Sequence, residues 1–289
     1  MSSYRSPRRL RIALGTWVAI EPRVTHTGGA GEQAALEQAA VKAAYAAIGA
    51  IEQTMHPTRP GSDLSRINSA PLNTPIQVQS DIWHLLQLAQ RLHCLTNGVF
   101  DPCLPEQPGR LADVELRSDS MLVCRAHVAI DLGGIAKGHA IDRAIEALSE
   151  HGCSGGLVNA GGDLRVFGDH AETILLRQSQ SSLSSIGART PTSAPSSVTG
   201  DPQAIFYHPL QLQNAAIAVS DLDATDRPIE HQGYYNHTGH EPVRRFAAVI
   251  AKQAAIADAL TKCVLLCNPE LASRVLREFD ATAPAPGAS

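Results

Sequence analysis

The chain has 289 residues, of which 44% are hydrophobic and 4% aromatic, and its formal net charge is -4. That length suits one large domain or two interlocked ones. Without a basic excess or a set of aromatic platforms, general affinity for nucleic acid or an anionic membrane is excluded.

Residues 10–20 read as a first strand, apolar and β-branched, interrupted at Gly15-Thr16. Four arginines precede its apolar run Ile12–Ile20, but no small-residue cleavage site follows, so a strand is preferred to a signal peptide. Residues 32–55 read as a long Ala-rich helix that Pro57–Gly61 stops. Ser62–Asn68 follows as a capped turn or short helix. Residues 80–96 carry apolar positions at helical spacing, with Ser80 and Asp81 as candidate caps and Asn97-Gly98 as the closing turn.

Residues 121–132 read as a strand and 134–151 as a helix. Gly155–Asp163 is a short strand running into a glycine-rich turn, and Leu164–Phe167 and Thr173–Leu176 read as further strands. Residues 178–202, rich in Ser, Thr, Pro and Gly, read as a flexible insertion. Strand pattern returns over 203–220 and 246–251; between them 225–243 is polar and holds His231, His237 and His240. Helices are expected over 253–267 and 269–279, and the Pro/Ala tail 281–289 is expected to be disordered. The result is one α/β (α+β) domain over 10–280.

No apolar run approaches the ~20 residues of a membrane span. The six cysteines form no CxxC pair, and without a signal peptide they read as free thiols in a reducing, cytoplasmic setting. Cys263 and Cys267, four apart on a helix, read as small buried apolar side chains.

Four constellations carry candidate chemistry. In Asp131-Leu132-Gly133-Gly134-Ile135-Ala136-Lys137-Gly138 a strand end meets a helix start. Glycines there admit a ligand close to the backbone, and the helix terminus and Lys137 suit phosphate. A tight turn with a solvated lysine is the plain alternative. Asn159–Asp163, with Gly161-Gly162, is a second glycine-rich approach or only a turn. Gly98–Pro102 sets Val99, Phe100 and Asp101 beside a rigid proline, suited to a heterocycle or to an Asp–Pro turn. Asp258, Thr261 and Lys262 share one face of a helix with apolar flanks, where a carboxylate is paired or metal-bound. The three histidines of 225–243 lack helical metal-ligand spacing.

In this order, these segments resemble the FAD:protein FMN transferase (ApbE-type) family over roughly residues 12–268. Leu14-Gly15-Thr16 is similar to its MGT opening, Ser62–Asn68 to its SelSrxN segment, and Gly98–Pro102 to its GxFDP. Asp131–Asp142 is similar to its DLGGIAKGYAVD block, Asn159–Asp163 to its NAGGD, and Ala257–Leu260 to its ADAL.

The resemblance implies a T-fold-like architecture of two interlocked subdomains, with mixed sheets flanked by helices. It implies FAD as substrate, Mg2+ on the pyrophosphate, and FMN transfer to a Thr/Ser hydroxyl of an acceptor flavoprotein with release of AMP. It places Leu14, Val99, Phe100, Asp101, Asp131, Lys137, Gly161 and Gly162 against FAD. It sets the Gly134 carbonyl and Asp258 on the metal, with Thr261 or Lys262 beside them, and gives catalytic roles to Asp258 and His231.

Three departures stand out. Lys262 occupies the family's metal-binding Thr position, with Thr261 one residue earlier. Tyr235-Asn236 replace Asp-Pro in the HxxDPxTG-type loop, and Thr58 stands where the family has a flavin-stacking Tyr. Those departures keep two alternatives in view, a non-transferring FAD-binding protein and a slow Mg2+-dependent FAD hydrolase. Many relatives are exported lipoproteins; no cysteine precedes Cys94, so no lipobox or membrane anchor is expected.

Overall fold

The computed structural model describes residues 8–25, 29–179, 205–222 and 242–284. Its centre is a six-stranded sheet in the order β1-β2-β6-β7-β10-β11, with every neighbouring pair antiparallel. These strands are β1 (Arg9–Ala13), β2 (Thr16–Arg23), β6 (Gly155–Ala160), β7 (Asp163–Phe167), β10 (Ala216–Asp221) and β11 (Phe246–Ala251). A smaller antiparallel sheet holds β3 (Pro75–Gln77), β5 (Met121–Cys124) and β4 (Val114–Leu116) in that order. The hairpin of β8 (Glu172–Ser179) and β9 (Ile205–Leu212) is an excursion between the sheet neighbours β7 and β10.

The helices are α1 (Ala30–Thr54), α2 (Asp63–Asn68), α3 (Ser80–Leu95), α4 (Ala136–Glu150), α5 (Ala254–Leu266) and α6 (Pro269–Glu278). Strand alternation sends alternate side chains to opposite sheet faces. Val18, Ile20, Val158, Ala216, Ala218, Ala247 and Val249 join the helical core, whereas Leu157, Ile217, Phe246 and Ala248 pack with Leu176 and Leu212 of the β8–β9 hairpin. The middle of the sheet is therefore buried on both faces. On the helical side α1 packs on α4, and α4 on α5.

The strand expected over 10–20 is a hairpin. It turns at Leu14 (φ 54°) and Gly15 (φ 69°), with Ala13 opposite Thr16. A leucine in the left-handed region is an uncommon turn residue, which is why the apolar pattern hid the turn. Of the strand expected over 121–132 only Met121–Cys124 is regular; Ile130 makes one isolated bridge to Cys103. The short strands β3 and β4 had no alternating pattern long enough to read.

The α3 cap is Gln79, in extended conformation, so Ser80 and Asp81 begin the helix instead of capping it. Residues 178–179 extend β8, and the rest of the expected insertion lies outside the described residues. The expected disordered tail begins in order: Thr282 exchanges two backbone hydrogen bonds with Ile250, at 2.8 and 2.9 Å, covering the β11 edge. Residues 285–289 lie outside the description, as do His231, His237 and His240. Cys263 and Cys267 are buried free thiols, as read. Among the described residues no helix is long and apolar enough to cross a membrane.

Candidate functional site

The site grows from a crossing between α4 and the start of α5. A Cβ added to Gly138 would lie 2.3 Å from the Ala254 carbonyl oxygen, so only glycine permits this approach. Each helix then supplies a carboxylate to the other's first turn. Asp142 of α4 accepts from the Ala254 and Ala255 N–H groups, both at 2.9 Å, and from Arg165 Nη1 of β7 at 2.6 Å. Asp258 of α5 accepts from the Gly138 N–H at 3.1 Å. First-turn amides lack intrahelical acceptors and carry partial positive charge, so both buried carboxylates sit where the backbone favours anions.

Asp258 is 1% exposed. Besides Gly138 it holds the Lys262 ammonium, which also donates to the Asp258 carbonyl at 3.0 Å. Thr261 points elsewhere. Its hydroxyl donates to the Asp258 carbonyl at 2.7 Å and lies 2.8 Å from Ser220 Oγ of β10.

A second carboxylate–ammonium pair adjoins the first. Lys137 Nζ lies 2.8 Å from Asp163 Oδ2, close enough for an ion pair but without the alignment of a hydrogen bond. Asp163 Oδ1 accepts from the Val219 N–H at 3.0 Å, extending the β7–β10 pairing through a side chain. Burial holds the Asp163 carboxyl above the usual carboxylate range; Lys137 opposes that shift, Asp258 adds to it and Lys262 opposes it.

Phe100, Asp101, Pro102, Asp131, Gly134, Ile135, Lys262 and Leu266 line a shallow cleft open to solvent. Five of these were singled out from the sequence: Phe100, Asp101, Asp131, Gly134 and Lys262. Asp258 adjoins the cleft through Lys262, whereas Lys137 and its partner Asp163 do not line it.

Asp101 faces inward for much of its bonding. Oδ1 accepts from the Cys103 N–H at 3.0 Å and from the Leu111 N–H at 3.3 Å, and His93 Nδ1 lies 3.6 Å from Oδ2. Phe100 is held by Thr96 Oγ1, which accepts its N–H at 2.9 Å. Asp131 Oδ1 accepts from the Gly133 N–H at 2.6 Å, closing the turn before α4.

Leu14, Val99, Gly161 and Gly162 do not line the cleft. Gly161 (φ 61°) and Gly162 (φ 103°) make the two-residue β6–β7 turn, which lies against the β1–β2 turn. The Gly161 N–H donates to the Trp17 carbonyl at 3.1 Å, and an added Cβ would meet Thr16 Oγ1 at 2.6 Å. Their glycines serve turn geometry, and the turn reaches the site through Asp163. His139, at the family's Tyr position, sets Nε2 2.9 Å from Asp81 Oδ1 on α3. Thr58 is exposed.

Asn68 has a role the sequence did not show. Its side chain donates to the Ile130 carbonyl at 2.9 Å and accepts the Ile130 N–H at 2.7 Å, one residue before Asp131. Asn68→Ala is expected to cost about 1–3 kcal/mol, two net hydrogen bonds in a part-buried setting. Urea unfolding checks the stability loss; a midpoint equal to that of the parent protein would refute the brace.

A Mg2+ site needs oxygen ligands with free lone pairs in near-octahedral array. Asp258 and Thr261 are both already engaged, and a protonated lysine offers donors only. As arranged, these side chains do not fit the metal expected of them. Among the described residues no group of three or more His, Cys, Asp or Glu side chains is placed to hold one.

The ApbE family model matches residues 14–108 and 105–285. This chain belongs to the ApbE family. It is 23% identical over 285 residues to a FAD:protein FMN transferase of Treponema pallidum, covering 85% of this chain and 76% of that protein. It is 29% identical over 165 residues to one of Rhodobacter capsulatus, 46% of this chain and 31% of the relative. The apo Pseudomonas stutzeri flavinyl transferase ApbE superposes with a TM-score of 0.72 at 17% identity, covering 98% of this chain and 92% of that one. The Thermotoga maritima ApbE protein gives 0.70 at 20% identity, covering 97% and 94%. The mixed helix-and-sheet fold is thus that of ApbE proteins.

Proposed function

We propose that this chain is an FAD:protein FMN transferase. The observation that carries the reading is the cleft itself, in which the Phe100–Pro102, Asp131–Ile135 and Lys262–Leu266 segments meet beside the buried Asp258–Lys262 pair. Relatives that bear the transferase name lend it support.

In the proposed reaction the acceptor's Thr or Ser oxygen attacks the FMN-side phosphorus of FAD. A new P–O bond forms, the bond to the AMP phosphate breaks, AMP leaves with that electron pair, and the hydroxyl proton passes to base or solvent. Such transfers depend on positioning and charge stabilisation. Phe100 offers a face for the flavin, and Asp131 and Gly134 offer polar contacts at the cleft wall. Lys137 and Lys262 supply positive charge for the pyrophosphate, with Asp258 holding Lys262 in place. His231 remains the proposed proton acceptor on family grounds. Mg2+, where the substrate brings it, would neutralise phosphate charge. The reading takes residues 10–280 as one transferase domain.

The closed Asp258–Lys262 pair favours a second reading, FAD binding with slow hydrolysis or none. AMP release measured with and without an acceptor domain separates the readings. Transfer requires acceptor-dependent AMP; hydrolysis gives AMP without acceptor; plain binding gives none. Lys137→Ala is expected to loosen FAD binding by about 10–100-fold, the scale of a charge-assisted contact. Unchanged affinity in a flavin-fluorescence titration would remove Lys137 from the site.

A further inference from the structure

We infer that the Lys262 ammonium is this chain's resident cation at Asp258, standing where a divalent metal would otherwise bind, so that the cleft operates without a metal on Asp258. The inference rests on the transferase reading for what the cleft does, and on geometry for what Lys262 does.

Asp258 is 1% exposed, and its two carboxylate oxygens are divided between the Gly138 N–H and the Lys262 ammonium. Lys262 sits four residues along the same helix, so its charge is tethered and its side chain is only 9% exposed. An i,i+4 ion pair on a helix is ordinarily a solvated surface feature worth a few tenths of a kcal/mol. This one is buried and lines the cleft, so it faces whatever the cleft holds.

The Lys262 ammonium holds Asp258 Oδ1 and the Gly138 N–H holds Oδ2, and an ammonium and a divalent ion repel each other at one carboxylate, so metal entry requires Lys262 to leave Asp258. Thr261 cannot take over, because its hydroxyl lies between the Asp258 carbonyl and Ser220.

The test is a Mn2+ titration followed by electron paramagnetic resonance, on the full chain and on Lys262→Thr, without FAD. Lys262→Thr should bind one equivalent of Mn2+ more than the parent, and Asp258→Asn in that background should abolish the extra equivalent. Adventitious surface sites would appear equally in all three. Thermal melts give a second readout: Mn2+ should raise the Tm of Lys262→Thr and leave the parent's unchanged.

Equal Mn2+ uptake by parent and Lys262→Thr would overturn the inference. So would a parent protein whose Mn2+ binding disappears in Asp258→Asn, a comparison that stands even if Lys262→Thr does not fold. Absence of AMP release under every condition would count against the transferase reading alone, because the Mn2+ comparison decides the role of Lys262 without it.

Discussion

Gly138→Ala is expected to destabilise the protein by about 3 kcal/mol, the upper end of ordinary overpacking costs. The added methyl would lie 2.3 Å from the Ala254 carbonyl oxygen and 2.7 Å from the Ala255 nitrogen, so it meets backbone and not a flexible side chain. In a helix interior alanine is otherwise preferred to glycine by up to ~1 kcal/mol. A loss of stability would therefore oppose intrinsic propensity and report the helix crossing itself. Parting the helices would also draw the Gly138 N–H away from Asp258, leaving that buried carboxylate with Lys262 and without its amide. A fall in Tm of roughly 5–10 °C is the corresponding thermal result. A Tm within a degree of the parent, or a rise, would contradict the crossing.

Asp142→Ala is expected to cost about 3–5 kcal/mol, the range for removing one partner of a buried pair. The carboxylate receives two backbone N–H groups at the start of α5 and the guanidinium of Arg165. Alanine would strand all three donors, and the Arg165 side chain is 15% exposed, too little for water to compensate fully. Asp142→Asn, which keeps acceptor oxygen but not charge, should lose about half as much. Pairing Asp142→Ala with Arg165→Met should cost less than the sum of the two, since the stranded charge is gone. Chemical denaturation of the four proteins measures the coupling; strict additivity would show that Asp142 and Arg165 do not share an interaction.

Much of the fold was legible because long periodic segments impose their structure. The Ala-rich run gave α1 within two residues at its start and one at its end, and the apolar α5 helix emerged within a residue at each end. The misreadings have local causes. Leu14 adopts a turn conformation with nothing in its side chain to announce it, and β3 and β4 span three residues each. Edge pairing of Thr282 with Ile250 is a tertiary event that a Pro/Ala composition conceals.

For the site, the glycine-rich segments were visible but their reasons were not. Gly161 and Gly162 answer to a hairpin turn, one of the two readings the sequence offered, whereas Gly138 answers to a helix crossing that the sequence did not show. Asp142 stood in the matched block four residues after Gly138, on its face of the helix, yet its capping of α5 depends on a contact 112 residues away. Asn68 and Asp163 act across 62 and 56 residues of the chain.

The most direct test of the account is covalent transfer itself. The full chain is incubated with FAD and an acceptor flavoprotein domain, and the acceptor is analysed by mass spectrometry while AMP is measured in the same reaction. The account predicts that the acceptor gains the mass of FMN less one water on a single Thr or Ser, with one AMP released per acceptor modified. AMP released with no modified acceptor, or FAD bound and recovered intact, would contradict it.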